Sequence, residues 1–251
     1  MKQQSKLILL SNDDGYLAPG INLLIEWLRP LARIVVVAPD GPRSGAAGSI
    51  TSTLVRREEG LEVYACSGTP VDCVKLALHA LVPREPDLVV SGINHGDNAS
   101  INVHYSGTLG AAIEGALHGL KSVAFSSCNE SPQADLAPLR PYVEDVVKAA
   151  LANGMPPLTC LNVNFPALHE FKGVRICRMG HCRWINEFEK CEIPGRGTFY
   201  FLTGNYTDTD PGAKDTDSHA LAEGYVAVTP TTLDVTSREL FNGVKGWGIE
   251  R

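Results

Sequence analysis

Lys6 to Gly20 reads KLILLSNDDGYLAPG. Leu7 to Leu10 is a short apolar run that ends in Ser11-Asn12, and Asp13, Asp14 and Gly15 follow at once. Pro19-Gly20 then lead into Ile21, Leu24, Ile25, Leu28 and Leu31, which repeat as one face of a helix. The pattern predicts strand, tight loop, helix. Next, Arg33 to Ala38 (RIVVVA) is a continuous β-branched run of the kind buried on both faces of a parallel sheet. Strand, helix, strand within about 35 residues is a βαβ unit, expected to be right-handed, and it sets the fold class as α/β. In such sheets ligands sit at the carboxyl ends of the strands. Two adjacent acids there repel by roughly 1 kcal/mol at about 4–5 Å in water, and by several times more in a dry cleft. A divalent cation between them removes that repulsion. The plain alternative is that one Asp caps the helix and the other is solvated.

The same edge collects three more loops. Pro39 to Ser49 follows the second strand and carries Arg43 and Ser44. Ile50 to Arg56 and Leu61 to Cys66 read as a hairpin excursion. Thr69-Pro70-Val71-Asp72 is a helix start, with Thr69 as cap, and that helix is expected to reach Leu81. Asp87 to Ser91 is the third parallel strand and ends in Gly92-Ile93-Asn94-His95-Gly96-Asp97-Asn98. Tyr105-Ser106-Gly107-Thr108 opens a helix with Leu109, Ala112, Ile113, Ala116, Leu117 and Leu120 on one face. Its first N–H groups, with the hydroxyls of Ser106 and Thr108, suit an anion, although an ordinary Ser/Thr cap reads the same way.

Further strands are expected at Ser122–Ser126 and Thr159–Val163, with a helix at Leu136–Asn153 between them. Residues 1–165 thus read as a catalytic core. Residues 166–251 read as a β-rich arm of the same domain, with strands at Val174–Met179, Thr198–Leu202 and Tyr225–Thr229 and a final helix at Leu233–Phe241. The long polar loops between those strands exceed the usual connection length, and arms of this kind often make oligomer contacts.

The chain has 251 residues, 44% hydrophobic and 20% charged, with a net charge of −6. That balance argues against a nucleic-acid polymer as partner. No apolar run approaches the roughly 20 residues of a membrane span, and the start reads as a first strand, not a signal peptide. Seven cysteines with no C-x-x-C pair read as reduced thiols in a cytoplasmic protein. Cys177, His181, Cys182 and Cys191 fit no common zinc spacing.

Asp13, Asp14, Ser44 and the amides of Asn94 and Asn98 offer only hard oxygen, which suits Mg²⁺, Mn²⁺ or Ca²⁺. A cation site beside a phosphate cradle points to phosphate-ester hydrolysis by an activated water, with one carboxylate taking its proton. The chain lacks the Gly-rich dinucleotide turn, the Gly-Lys-Ser/Thr of a P-loop and the Gly-x-Ser-x-Gly of a serine hydrolase. His95 and His104 flank the third loop and read either as general acids or as plain surface residues.

LLSNDDGYLAPGI, VVAPDGPRSGAAGSIT, GTPVDCV, VVSGINHGDN, VHYSGTLGAAIEG and DSHALAEGYVAVTP occur in the order found in the SurE family of stationary-phase survival proteins, and the chain resembles that family over nearly its whole length. The resemblance implies a three-layer, mostly parallel, Rossmann-like sheet whose C-terminal arm exchanges in a homodimer or homotetramer. It implies a cytoplasmic, metal-dependent nucleotidase acting on nucleoside 5′-monophosphates, often also on 3′-monophosphates and short polyphosphate. It implies one Mg²⁺ or Mn²⁺ per subunit on Asp13, Asp14, Ser44 and Asn94, and a phosphate pocket at Asn98, Ser106, Gly107 and Thr108. The other reading is a metal- and nucleotide-binding regulatory protein with little hydrolysis. Relative to the family pattern, Ala47-Gly48 stands where Ser-Asn is more common, Ala99-Ser100 where Leu-Gly is, and Ala227 where Ser is.

Overall fold

The computed structural model describes residues 5–41 and 50–249. Ser44 and Arg43 lie outside the described residues. In chain order the elements are β1 (Leu7–Ser11), α1 (Pro19–Leu28), β2 (Arg33–Pro39), β3 (Ser52–Glu58), β4 (Leu61–Cys66), α2 (Pro70–Leu76), β5 (Leu88–His95), α3 (Gly107–Leu117), β6 (Ser122–Ser127), α4 (Arg140–Ala152) and β7 (Thr159–Phe165). The C-terminal part adds β8 (Val174–Ile176), β9 (Cys182–Ile185), β10 (Phe188–Ile193), β11 (Gly197–Leu202), β12 (Asn205–Asp208), α5 (Asp217–Ala222), β13 (Val226–Thr232) and α6 (Arg238–Val244).

One sheet runs β3-β4-β2-β1-β5-β6-β7-β13-β8. From β4 to β7 every pairing is parallel. From β1 the chain first moves outward to β2 and later returns to place β5 on the other side of β1. The strand order therefore reverses between β1 and β5, and the crevice at such a switch point is the standard ligand position in open α/β sheets.

Alternation along β1 builds the layers. Ile8 and Leu10 pack under α1 and α4, whose apolar stripes include Ile21, Leu24, Val143 and Val147. Leu7 and Leu9 point to the opposite face and pack with Cys73 and Val74 of α2 and Ala111 of α3. The crossovers through α1, α2 and α3 share one hand, because α1 moves the chain in the opposite direction to α2 and α3 and lies on the opposite face. The β6–α4–β7 crossover moves like α3 but lies on the face of α1, so it has the other hand, an uncommon arrangement.

Local signals formed as the sequence implied at α2. Thr69 and Asp72 make a reciprocal capping box, and the helix continues as a π-helical turn over Ala77–Leu81. Three expectations change. The hairpin at 50–66 is no excursion: β4 pairs with β2 from Ile34↔Leu61 to Pro39↔Cys66. Burial of Leu61 and Val63 ties it to the sheet. Part of the expected arm also joins the sheet, β13 antiparallel to β7 and β8 parallel to β13. The remainder forms two ribbons, β10–β11 and β9–β12. The final helix starts at Arg238, later than expected, because Ser237 caps it by accepting from the Leu240 N–H at 3.2 Å.

Asp87, just before β5, fixes the start of β1. It accepts from the Leu7 N–H at 2.9 Å, from Arg84 at 2.7 Å and from Lys6 at 2.9 Å. Burial alone would raise its pKa, but these three donors outweigh that and hold it down to about 2, from the ordinary 3.8. A carboxyl whose folded pKa is lowered contributes stability above its unfolded pKa and loses it as pH falls toward the folded one. Asp87→Asn is expected to cost about 1–2 kcal/mol at pH 7 in urea unfolding, allowing for screening. The gap to wild type should shrink to about half near pH 3. A gap independent of pH would contradict the account.

Candidate active site

The chain end of β1 turns at Asn12, whose Nδ2 donates to the Gly15 carbonyl at 2.9 Å, while its own Oδ1 is buried with no partner among the described residues. This turn presents Asp13, half-buried, and Asp14, exposed, side by side. The first turn of α1 then presses onto the loop after β5. A Cβ on Gly20 would lie 2.2 Å from the Ile93 carbonyl oxygen, so only glycine permits this contact between the two site loops.

At the end of β5, Asn94 Nδ2 donates to the Gly96 carbonyl at 2.8 Å. That bond spends the amide's donor side and leaves Oδ1 as an acceptor. His95 follows, and its backbone N–H and ring both act on Asp14. Both ring nitrogens of His95 are buried and make no hydrogen bond among the described residues. His104 instead is exposed and lines a separate cavity.

The start of α3 closes the other side. Thr108 Oγ1 donates to Asp13 Oδ1. A Cβ on Gly107 would come within 3.1 Å of the Asp13 side chain, so the absence of one lets the helix N-terminus abut the acid pair. Ser106 Oγ accepts from the Leu109 N–H at 2.9 Å, which caps the helix and leaves the N–H groups of Gly107 and Thr108 facing outward from its first turn. Thr108 is fully buried and its hydroxyl proton is committed to Asp13. Asn98 lies deeper. Its backbone N–H donates to Asn164 Oδ1 at 2.8 Å, and its Nδ2 donates to Ser126 Oγ at 2.7 Å.

The electrostatics follow from the pairing. Although Asp14 is open to solvent as a whole residue, desolvation of its carboxyl among the site loops, and next the charge of Asp13, push it above its ordinary 3.8, while His95 pulls it back. Two carboxylates that raise each other's cost of ionisation form a site that gains from a cation. Among the described residues no three His, Cys, Asp or Glu side chains form a cluster. The oxygen groups at the ends of β1 and β5 are the two carboxylates and the amide of Asn94, next in sequence to the His95 that acts on Asp14; such a set is hard oxygen, chemistry that fits a hard divalent ion.

The structure thus joins Asp13 to Gly107 and Thr108 at the Ser106-capped start of α3 and sets Asp14 beside His95, the neighbour of Asn94, while Asn98 is buried. A cavity of about 580 Å³ on the flank of α3 shares only Ser106 with this group and is walled mainly by apolar residues such as Leu109, Ile113 and Leu233, so it is not the seat of the acid-pair chemistry. The residue sequence reasoning missed is Asp217. It is fully buried and accepts from the N–H groups of Ser100 at 2.9 Å, Gly180 at 2.8 Å and Ser218 at 2.8 Å. It thereby anchors the loop between Asn98 and Ser106. The available signal was Thr216 immediately before it, a helix cap that accepts from the His219 N–H. Ser100, in the same loop, has φ +51. That left-handed conformation costs a non-glycine residue roughly 1–2 kcal/mol and accounts for the glycine usual in the family. Here the Ser100 hydroxyl donates to the Gly180 carbonyl at 2.8 Å and accepts from the Cys182 N–H at 2.7 Å, which offsets the strain.

The family described as "Survival protein SurE" matches residues 8–186. The chain is 53% identical over all of both chains to the 5′-nucleotidase SurE of Phocaeicola vulgatus. It is 50% identical to that of Bacteroides fragilis, across 99% of this chain and all of the other. Its fold matches the crystal structure of the SurE protein from Aquifex aeolicus with a TM-score of 0.82 and 36% identity, covering 96% of this chain and 99% of that one.

Proposed function

Because this chain belongs to the SurE family, we propose that it is a nucleotidase that hydrolyses nucleoside 5′-monophosphates at the Asp13/Asp14 site with one divalent cation, Mg²⁺ or Mn²⁺. The observation that carries the reading is the hydrogen bond from Thr108 to Asp13, which makes the acid pair and the helix N-terminus a single site. Asp13, Asp14 and Asn94 would hold the cation, with Ser44 as the fourth expected ligand. When bound, the ion supplies Lewis acidity toward a water and toward the phosphoryl oxygens.

The residues divide the remaining work. The backbone N–H groups of Gly107 and Thr108, at the positive end of α3, bind phosphate oxygens and stabilise the charge that develops on them. The Ser106 hydroxyl keeps its proton free to join them, since it caps the helix through its lone pair. A serine hydroxyl both donates and accepts, so Ser126 holds the Asn98 amide equally well when it is turned over. That orientation points Nδ2 toward the phosphate. Asp13 is fixed by Thr108 and positions the cation. Burial and the neighbouring charge of Asp13 raise the Asp14 carboxyl above its ordinary range, and its carboxylate takes the proton of the attacking water. Water adds to phosphorus as it loses its proton, the bond from phosphorus to the ribose oxygen breaks, and that oxygen takes a proton from solvent and leaves as the alcohol. No covalent phospho-enzyme is needed.

The test is phosphate release from AMP with added Mn²⁺ or Mg²⁺, with and without a chelator. The expected result is release that chelation abolishes and fresh metal restores. No metal-dependent release from any mononucleotide would favour a binding protein over an enzyme.

A further inference from the structure

Tyr105 ends the 3-10 turn Ser100–Tyr105 and directly precedes Ser106, the cap of α3. It is 83% exposed. An aromatic ring left in water beside a phosphate cradle is an unused hydrophobic surface at the place where the rest of a substrate must lie.

Across from it stands Trp184 of β9, 40% exposed. The two rings line one groove of about 320 Å³ together with Ile101, Arg183 and Leu202. That volume lies in the range of small-molecule pockets. The Trp184 wall is held in place. Its Nε1 donates to Asn102 Oδ1 at 3.0 Å, and Asn102 Nδ2 donates to Asp97 Oδ1 at 3.2 Å. Its ring also packs against Tyr206, with centroids 5.2 Å apart. The Ser100 hydroxyl ties the same loop to Gly180 and Cys182, just before and at the start of β9. Ribbon and loop therefore form one unit, and the groove begins two residues, at most about 7.6 Å of backbone, before the first N–H of the cradle.

We propose that Tyr105 and Trp184 form the platform that takes the nucleobase of the substrate; this rests on the reading that a phosphate monoester occupies the Gly107–Thr108 cradle. A phosphate seated on those N–H groups directs its ester substituent outward, over the preceding residue, and the groove there offers two π faces. Base–aromatic stacking is tolerant of base identity because every base has a π face. The polar residues of the groove, Arg183, Glu187 and Thr203, are all exposed, so it reads no base edge through a buried donor or acceptor. The platform therefore predicts KM values for AMP, GMP, CMP and UMP that differ by less than about tenfold.

The decisive comparison is between AMP and ribose 5-phosphate, which keeps the phosphate and sugar and lacks the base. Tyr105→Ala should raise KM for AMP about tenfold with kcat changed by less than about twofold, and Tyr105→Phe should restore it. The KM for ribose 5-phosphate should move by less than about twofold in the same variants. Equal losses on both substrates, or no change on AMP, would overturn the platform. Binding is read separately in the full-length protein without turnover. AMP should quench the emission of Trp184, ribose 5-phosphate should not, and Trp184→Phe should remove the AMP-dependent part. If the wild type hydrolysed neither substrate, the phosphohydrolase reading would fail while the quenching experiment still decided the platform. AMP that left the emission unchanged would reject it.

Discussion

Asp13→Asn is expected to lower kcat on AMP by about 10³-fold and to leave the melting temperature unchanged or slightly raised. The loss follows from what Asp13 touches. It is the one member of the acid pair held by Thr108 and backed by the start of α3, so it sets where the cation sits relative to the phosphate cradle. An amide of the same shape keeps the fold but gives up the charge that binds the ion, and a threefold-decade loss corresponds to about 4 kcal/mol of transition-state stabilisation. Stability changes with the opposite sign. Asp14 is pushed above its ordinary pKa partly by Asp13, so in the metal-free protein ionised Asp14 opposes folding at neutral pH. Removing its neighbour's charge relieves that opposition. Kinetics and thermal melting of the same variant check both parts. Activity within about twofold of wild type would contradict the ligand role, and a melting point several degrees lower in chelator would contradict the repulsion between the two carboxylates.

Asp217→Ala is expected to do the reverse, with a large loss of stability at a residue outside the acid pair. The side chain is fully buried and satisfies three backbone N–H groups, those of Ser100, Gly180 and Ser218. Truncation strands all three. At about 1–3 kcal/mol for each buried unsatisfied donor, partly recovered by entering water, the total is about 4 kcal/mol. For a chain of this size that lowers the melting temperature by about 10 °C. Asp217→Asn keeps one acceptor oxygen and should lose about half as much. Because Ser100 sits at φ +51, release of its N–H also frees the loop that carries Asn98 and Tyr105. KM for AMP should therefore rise in the alanine variant even below its melting point. A melting point within about 2 °C of wild type would show that the anchor is dispensable.

These two aspartates mark what the sequence made legible. Asp13 and Asp14 were readable because they stand at the end of an unmistakable buried strand, and the sheet edge follows from strand, helix, strand alone. Asn94 and Thr108 were readable for the same reason, each at the end of a strand or the start of a patterned helix. Local capping was equally visible at Thr69 and Asp72. Pairing between distant segments was not. Nothing local in Leu61–Cys66 says that it lies beside β2, and nothing in Val226–Thr232 says that it runs antiparallel to β7. The opposite hand of the β6–α4–β7 crossover depends on which face α4 covers, a property of the whole core. Asp217 stayed hidden among the acids of Asp208 to Asp217, where composition suggests solvent and burial is decided by Ser100 and Gly180, far off in sequence. The hold of Ser126 and Asn164 on Asn98 and the commitment of the Thr108 hydroxyl to Asp13 are likewise facts of tertiary contact.

The central claim is that two side chains at the end of β1 grip one cation in front of the α3 N-terminus. Anomalous diffraction from crystals soaked in Mn²⁺ tests it most directly. The account predicts one peak within about 2.2 Å of carboxylate oxygens of both Asp13 and Asp14 and near Asn94 Oδ1. No peak between those two carboxylates, with manganese bound elsewhere or not at all, would contradict it.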